Sequence, residues 1–141
     1  MTSTDSLKSL HTQLIDAREG YETAREEAES ADMKDFFSRM VRLHAGLHAD
    51  IHDILTARGV QPEDDGSFMA AVHKTIISIR SAVTGLDASS LSGFADGEER
   101  IVKAYDTALA DNAGDRDAAS VLERHRAKLV AVVAEMKAAG T

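Results

Sequence analysis

Apolar side chains recur at alternating intervals of three and four residues over most of the chain, which is the spacing of helices that bury one face. Short polar stretches rich in Gly, Asp and Ser interrupt this pattern at four places. The pattern predicts five helices, over residues 7–29, 33–58, 68–84, 91–110 and 117–139. The connection at 30–32 is so short that the first two helices must be antiparallel neighbours, and Gly59 takes the position that commonly follows a helix end.

Each long helix carries one apolar seam of the kind that faces the core of a bundle. The seam positions are, helix by helix, Leu7, Leu10, Leu14, Ala17, Tyr21, Ala24 and Ala28; Met33, Phe37, Met40, His44, Leu47, Ile51 and Ile54; Leu91, Phe94, Glu98, Ile101, Tyr105 and Ala108; and Ala118, Leu122, His125, Leu129, Val132 and Met136. The seams predict an all-α fold, an up-down four-helix bundle whose long crossover carries a short fifth helix. No stretch resembles a linker, so we expect residues 1–141 to form a single domain.

A short sequence repeat relates the two halves of the chain. Tyr21 opens the run Tyr-Glu-Thr-Ala in the first helix, and Tyr105 opens Tyr-Asp-Thr-Ala in the fourth. These are the only two tyrosines of the protein. Each run is followed by a helix with a histidine in its seam, which suggests that a helical hairpin was duplicated.

Composition narrows the classes of function. The 16 Lys and Arg against 24 Asp and Glu leave a net charge of −8, which disfavours binding to nucleic acid or to an anionic membrane surface. The absence of Cys excludes thiol catalysis and cysteine-ligated clusters. We expect no signal peptide and no transmembrane helix, because the start lacks a basic segment followed by an apolar one and no apolar run is long enough. A cytoplasmic location is therefore expected.

The seams contain three strongly polar residues, His44, Glu98 and His125, each near the middle of its own helix. A buried carboxylate costs several kcal/mol unless it is paired or protonated, so Glu98 needs a partner. One interpretation is a hydrogen-bonded network of the three side chains, with a water or a tyrosine hydroxyl, that fixes the helix register. The other is a metal site of two histidines and one carboxylate, the ligand set used for iron(II) and zinc.

The second helix also presents histidines at intervals of four residues, namely His44, His48 and His52. Residues four apart share a face, so His44 and His48 could chelate one ion. Successive members rotate away from the seam, which predicts a boundary position for His48 and a solvated one for His52. His11 and His73 are likewise expected at the boundary or on the surface.

No nucleotide-binding or hydrolase motif occurs, but the chain resembles ferritin-like proteins. Glu98, seven residues before Tyr105, resembles the metal-binding helix of rubrerythrin-type proteins. Short motifs also occur along the chain, at residues 16–21 (DAREGY), 62–67 (PEDDGS), Gly97-Glu98, Lys103-Ala104-Tyr105 and Leu122-Glu123-Arg124. In these motifs, which cover nearly the whole chain, it is similar to an uncharacterised bacterial family of small ferritin-like proteins, a domain of unknown function.

This resemblance implies a di-iron ancestor, whose sites take a Glu from each of two helices and Glu-x-x-His from each of the other two. Leu14 and Leu47 stand at two of the implied ligand positions, while Glu98 and His125 match and His44 is a substitute. We therefore expect a non-enzymatic bundle that has lost most di-iron ligands and serves as a binding, scaffold or stress-associated protein. No cofactor is expected in that case.

The alternative is a metal-binding protein or oxidoreductase with a reduced core site, in which His44, Glu98 and His125 hold a single Fe, Mn or Zn ion. The partner is either an unknown protein or a second copy of the chain. Extra apolar residues beside the last seam would cover the crossover helix or form a homodimer face: Val121, Val130 and Val133.

Overall fold

The computed structural model describes residues 3–61 and 91–139. These residues form four helices and no strand: α1 (Ser3–Glu27), α2 (Ala31–Ala57), α3 (Leu91–Asp111) and α4 (Arg116–Ala139). Over these residues the prediction of an all-α fold is confirmed, and the predicted helix ends lie within about a turn of these bounds. The fifth helix predicted over 68–84 lies outside the described residues.

The helices pack as two antiparallel hairpins, α1 with α2 and α3 with α4, and the hairpins meet mainly where α1 contacts α3. The ends are capped by short polar side chains. Ser30 Oγ accepts a hydrogen bond from the Met33 amide at 3.1 Å, and Asp115 Oδ1 accepts one from the Ala118 amide at 3.1 Å. Arg58 donates to Asp115 Oδ2 at 2.8 Å, so the end of α2 is tied to the start of α4.

Two apolar clusters fill the interior. The first surrounds Tyr21, Phe37 and Phe94, and the second is built mainly from leucines and isoleucines of all four helices together with Tyr105. Along their helices, His44 and Glu98 fall between residues of the first cluster and residues of the second. The polar seam residues therefore interrupt the apolar core near its middle.

The buried positions follow the predicted seams with one systematic drift. Leu55 and Val133 are buried, whereas the predicted seam residues Ile54 and Val132 are only partly buried. Steps of three and four residues average 3.5 residues per turn, whereas a straight helix has 3.6. Positions chosen by that strict alternation therefore rotate gradually away from the core face. Of the extra valines on α4, Val130 is exposed, so that helix keeps an apolar side chain on its surface.

Candidate functional site

The first polar network of the core joins Glu98 of α3 to α1 and α2. Tyr21 donates its hydroxyl proton to Glu98 Oε1 at 2.6 Å. His44 Nε2 lies 2.7 Å from the same oxygen, and the rings of His44 and Tyr21 have centroids 5.0 Å apart. All three residues are buried. Burial and the adjacent Glu98 raise the pKa of Tyr21 well above its usual value, so this residue stays a neutral donor.

The hydrogen bond of His44 to its own helix fixes the orientation of the ring. His44 Nδ1 lies 2.8 Å from the Met40 carbonyl oxygen, which only accepts, so Nδ1 carries a proton. The other ring nitrogen, Nε2, therefore faces Glu98 Oε1.

The same pair is incompletely satisfied. The contact between His44 Nε2 and Oε1 is short but lies outside hydrogen-bond angles, and Glu98 Oε2 has no hydrogen-bond partner in the part of the chain that the structure describes. Buried polar atoms of this kind are costly in a low-dielectric core. Two buried polar atoms of this pair, His44 Nε2 and Glu98 Oε2, therefore lack a hydrogen bond within the described residues.

The second network connects the core to the surface. His125 Nε2 donates to Asp50 Oδ2 at 2.9 Å, and its Nδ1 is 2.8 Å from the Tyr105 hydroxyl. Because the carboxylate can only accept, the neutral ring has its proton on Nε2 and accepts the tyrosine proton at Nδ1. Burial lowers the pKa of His125 against the opposing effect of Asp50. Burial, with Glu98 and Asp50, raises the pKa of Tyr105.

The structure thus divides the three predicted seam residues between two networks. It brings His44 and Glu98 together and holds His125 between Tyr105 and Asp50. The sequence repeat explains the division, since Leu14 precedes Tyr21 by the interval at which Glu98 precedes Tyr105. An apolar Leu14 offers His125 no polar partner. The metal site of His44, Glu98 and His125 stays a prediction.

A different histidine cluster lies between α1 and α2. Three ring nitrogens, one from each histidine, lie within 4.8 Å of one another; the histidines are His11, His48 and His52. His11 Nε2 is 3.3 Å from His52 Nδ1, and the rings of His11 and His48 have centroids 4.3 Å apart. Two neutral imidazoles bound to tetrahedral zinc place their nitrogens roughly 3.3 Å apart, given Zn–N bonds of about 2.0–2.1 Å. The pair formed by His11 and His52 already has that spacing.

His11, predicted at the boundary or on the surface, is buried, so that prediction was wrong. The reason is the close packing of α1 on α2. His48 is partly buried, as its predicted boundary position requires, and His52 is also partly buried, although a solvated position was predicted. His73 lies outside the described residues.

The sequence contains two signals for this cluster. His48 and His52 share a helix face. His11 and His48 lie about equally far from the connection between the two helices, and residues at equal distances from the turn of an antiparallel hairpin lie side by side.

A surface cleft of about 340 Å³ borders this cluster and is lined by Arg18, His48, Ala49, His52 and Asp53. Arg18 and Asp53 place one positive and one negative side chain beside the two histidines. The arrangement can hold a metal ion on imidazole nitrogen and leave it accessible from outside. Among the four described helices, none has the length and apolar run needed to cross a bilayer.

Comparison with known proteins places the chain in a family. No curated protein matches it, and no solved structure does. The domain of unknown function DUF2383 matches residues 2–112, a region that includes α1, α2 and α3. That match spans the histidine cluster and Glu98 but not His125. The chain belongs to the DUF2383 family.

Proposed function

We propose that this protein binds one divalent transition-metal ion through His11, His48 and His52. The observation that carries the proposal is the convergence of three imidazole nitrogens within 4.8 Å, two of them already at 3.3 Å. The bound ion would replace the hydrogen bond between the His11 and His52 rings. The ion would join α1 to α2 and stabilise that hairpin, because it binds the folded arrangement and not the extended chain.

The ligand set indicates which ions are preferred. Imidazole suits zinc, copper, nickel and cobalt, whereas magnesium, calcium and manganese prefer carboxylate and carbonyl oxygen. All three groups in the cluster are histidines. We expect the affinity for Zn²⁺ to exceed that for Mn²⁺ and Mg²⁺ by a wide margin.

Isothermal titration calorimetry of the untagged, chelator-treated protein with Zn²⁺ tests the proposal. We expect one ion per chain, and we expect His48→Gln and His52→Gln to lose it. The matched controls are His44→Gln and Glu98→Gln in the core, which should keep full stoichiometry. Zinc binding that survives both cluster substitutions would contradict the proposal.

The core offers a second candidate, in which His44 and Glu98, with His125, hold a single Fe, Mn or Zn ion. It is supported by the 2.7 Å contact between His44 and Glu98 and by the unpartnered Glu98 Oε2. The same two control variants decide it: metal lost from His44→Gln and Glu98→Gln, but kept by the cluster variants, would move the site to the core.

The ferritin-like ancestry remains part of this proposal. Glu98, Tyr21 and His44 meet across three helices in a way that suits the remainder of a larger carboxylate site, and Leu14 and Leu47, at two of the implied ligand positions, are buried. On this basis the core residues stabilise the fold, and metal binds on the first hairpin. Elemental analysis showing two irons per chain would contradict the loss of the di-iron site.

A further inference from the structure

We propose that Tyr105 is a redox-active residue, which gives up one electron to a diffusible one-electron oxidant of the peroxyl-radical class while its hydroxyl proton moves to His125 Nδ1. The inference goes beyond the proposed metal binding and does not depend on it. It follows from the hydrogen bonds of Tyr105 and His125, from their connection to the exposed Asp50, and from the side chains around the phenol ring.

The first step is the proton acceptor. The Tyr105 hydroxyl lies 2.8 Å from His125 Nδ1, and both residues are buried, with exposed fractions of 0% and 2%. His125 Nε2 carries the proton of the neutral ring because it donates to Asp50 Oδ2. Nδ1 therefore presents a lone pair to the phenol, and the proton can move to this base along one existing hydrogen bond.

The second step is the coupling of the proton to the electron. Burial, with Glu98 and Asp50, raises the pKa of Tyr105, so the phenol keeps its proton at neutral pH. Loss of an electron makes a phenol strongly acidic, and the proton then moves to His125. The O–H bond of Tyr105 breaks and an N–H bond forms at Nδ1. The products are a neutral phenoxyl radical, an imidazolium, and the oxidant reduced by one electron.

The third step is the charge of the product. His125 Nε2 lies 2.9 Å from Asp50 Oδ2, so the imidazolium that forms faces a carboxylate, which favours its charged form. The side chain of Asp50 is 55% exposed. The side chain of His125 thus connects the buried phenol to a group that solvent reaches, and a diffusible oxidant meets the protein at that surface.

The fourth step is the environment of the phenol ring. The chain has no Cys and no Trp, and Tyr21 is its only other tyrosine. The other described residues of the cluster around Tyr105 are aliphatic, and such side chains are poor electron donors to a phenoxyl radical. Tyr21 lies instead in a cluster with Met40 and Met136, whose thioethers can be oxidised. Its proton acceptor is the buried Glu98. The longer-lived radical therefore forms at Tyr105.

The test oxidises the full, chelator-treated chain with photogenerated tris(bipyridine)ruthenium(III), a one-electron oxidant, and records the radical by electron paramagnetic resonance. Tyr21→Phe and Tyr105→Phe are matched variants, because each retains one of the two tyrosines. We expect the phenoxyl signal of Tyr21→Phe to outlast that of Tyr105→Phe by about tenfold. Equal lifetimes, or no phenoxyl signal in Tyr21→Phe, would overturn the proposal.

A second comparison isolates the proton. His125→Gln keeps a hydrogen-bond acceptor for the phenol but removes the base, so we expect transient absorption to show oxidation of Tyr105 slowed by about tenfold. Oxidation in the natural protein should be slower in D₂O than in H₂O, a response that a merely structural role of His125 does not produce. Asp50→Asn should also slow the oxidation, whereas Asp53→Asn, at another exposed aspartate of α2, should not.

The outcomes of this comparison decide the proposal even if a tyrosine variant does not fold. An oxidation rate that is the same in His125→Gln as in the natural protein overturns the assignment of His125 as proton acceptor. A rate that is the same in D₂O as in H₂O overturns the coupled transfer of proton and electron. Because the protein is free of metal throughout, none of these results depends on the histidine cluster.

Discussion

The pair formed by His44 and Glu98 should behave as one unit, so that removing either member costs more than removing both. We consider the substitutions His44→Leu and Glu98→Leu, singly and together. Leucine is chosen because Leu14 holds the comparable place in the other half of the sequence repeat. The side chains have similar volumes, so the change removes polarity more than it removes packing.

The expected magnitudes follow from burial and partners. His44→Leu leaves the Glu98 carboxyl group 1% exposed with Tyr21 as its remaining hydrogen-bond partner, and breaking a buried pair in this way costs about 3–5 kcal/mol. Glu98→Leu leaves the Tyr21 hydroxyl without its acceptor, at about 1–3 kcal/mol, and leaves the buried His44 Nε2 without its polar contact at 2.7 Å. The double variant leaves only the Tyr21 hydroxyl, at about 1–3 kcal/mol.

The assay is urea unfolding followed by far-ultraviolet circular dichroism, with the free energy of unfolding compared across the four proteins. We expect the double variant to be more stable than His44→Leu by about 2 kcal/mol. Adding Tyr21→Phe to the double variant should recover most of the remaining loss. If His44→Leu does not fold, recovery of folding on adding Glu98→Leu gives the same answer. Additive losses in the double variant would refute the coupling between the two residues.

Two further predictions concern carboxylates. Asp16 is 8% exposed, and burial raises its pKa to about 6, so its ionisation destabilises the fold as pH rises from about 3.8 to 6. Asp16→Asn should therefore stabilise the protein by about 1–3 kcal/mol at pH 8 and have little effect near pH 3.5 in urea unfolding. The Ala118 amide lowers the pKa of Asp115, so Asp115 stabilises the fold above pH 3.8 and this is lost as pH falls through its folded pKa. Asp115→Ala should lower the melting temperature at pH 7 more than Asp117→Ala does, and equal losses would contradict its role as a cap.

Hydrophobic spacing was sufficient to predict the four described helices, because burial of one face imposes the same period wherever a helix packs. It could not place every core residue. Leu55 is buried beside Ile54, and the choice between them depends on the rotation of α2 against its neighbours, which a pattern of three and four does not record. The short connection predicted at residues 30–32 gave a firmer prediction, since a connection of that length allows only an antiparallel arrangement of α1 and α2.

Sequence reasoning located the unusual core residues but not all their partners. Glu98 needed a partner on energetic grounds, and His44 is one of the two it has. Asp50 could not be anticipated for His125, because an exposed aspartate on another helix has no periodic signature. The histidine cluster depends on a different property: rotation along α2 predicts only the positions of His48 and His52, and the register of the hairpin is what brings His11 beside His48.

The two polar regions differ in how much of the chain must be assembled to form them. The cluster of His11, His48 and His52 needs only the first hairpin, with a separation of 41 positions between His11 and His52. The contact of Tyr21 with Glu98 joins the two halves across 77 positions. Closing the shorter loop costs less chain entropy. We expect an ion at the cluster to be captured early, before the second hairpin docks, so that zinc would accelerate refolding in stopped-flow measurements and set the order in which the bundle is built.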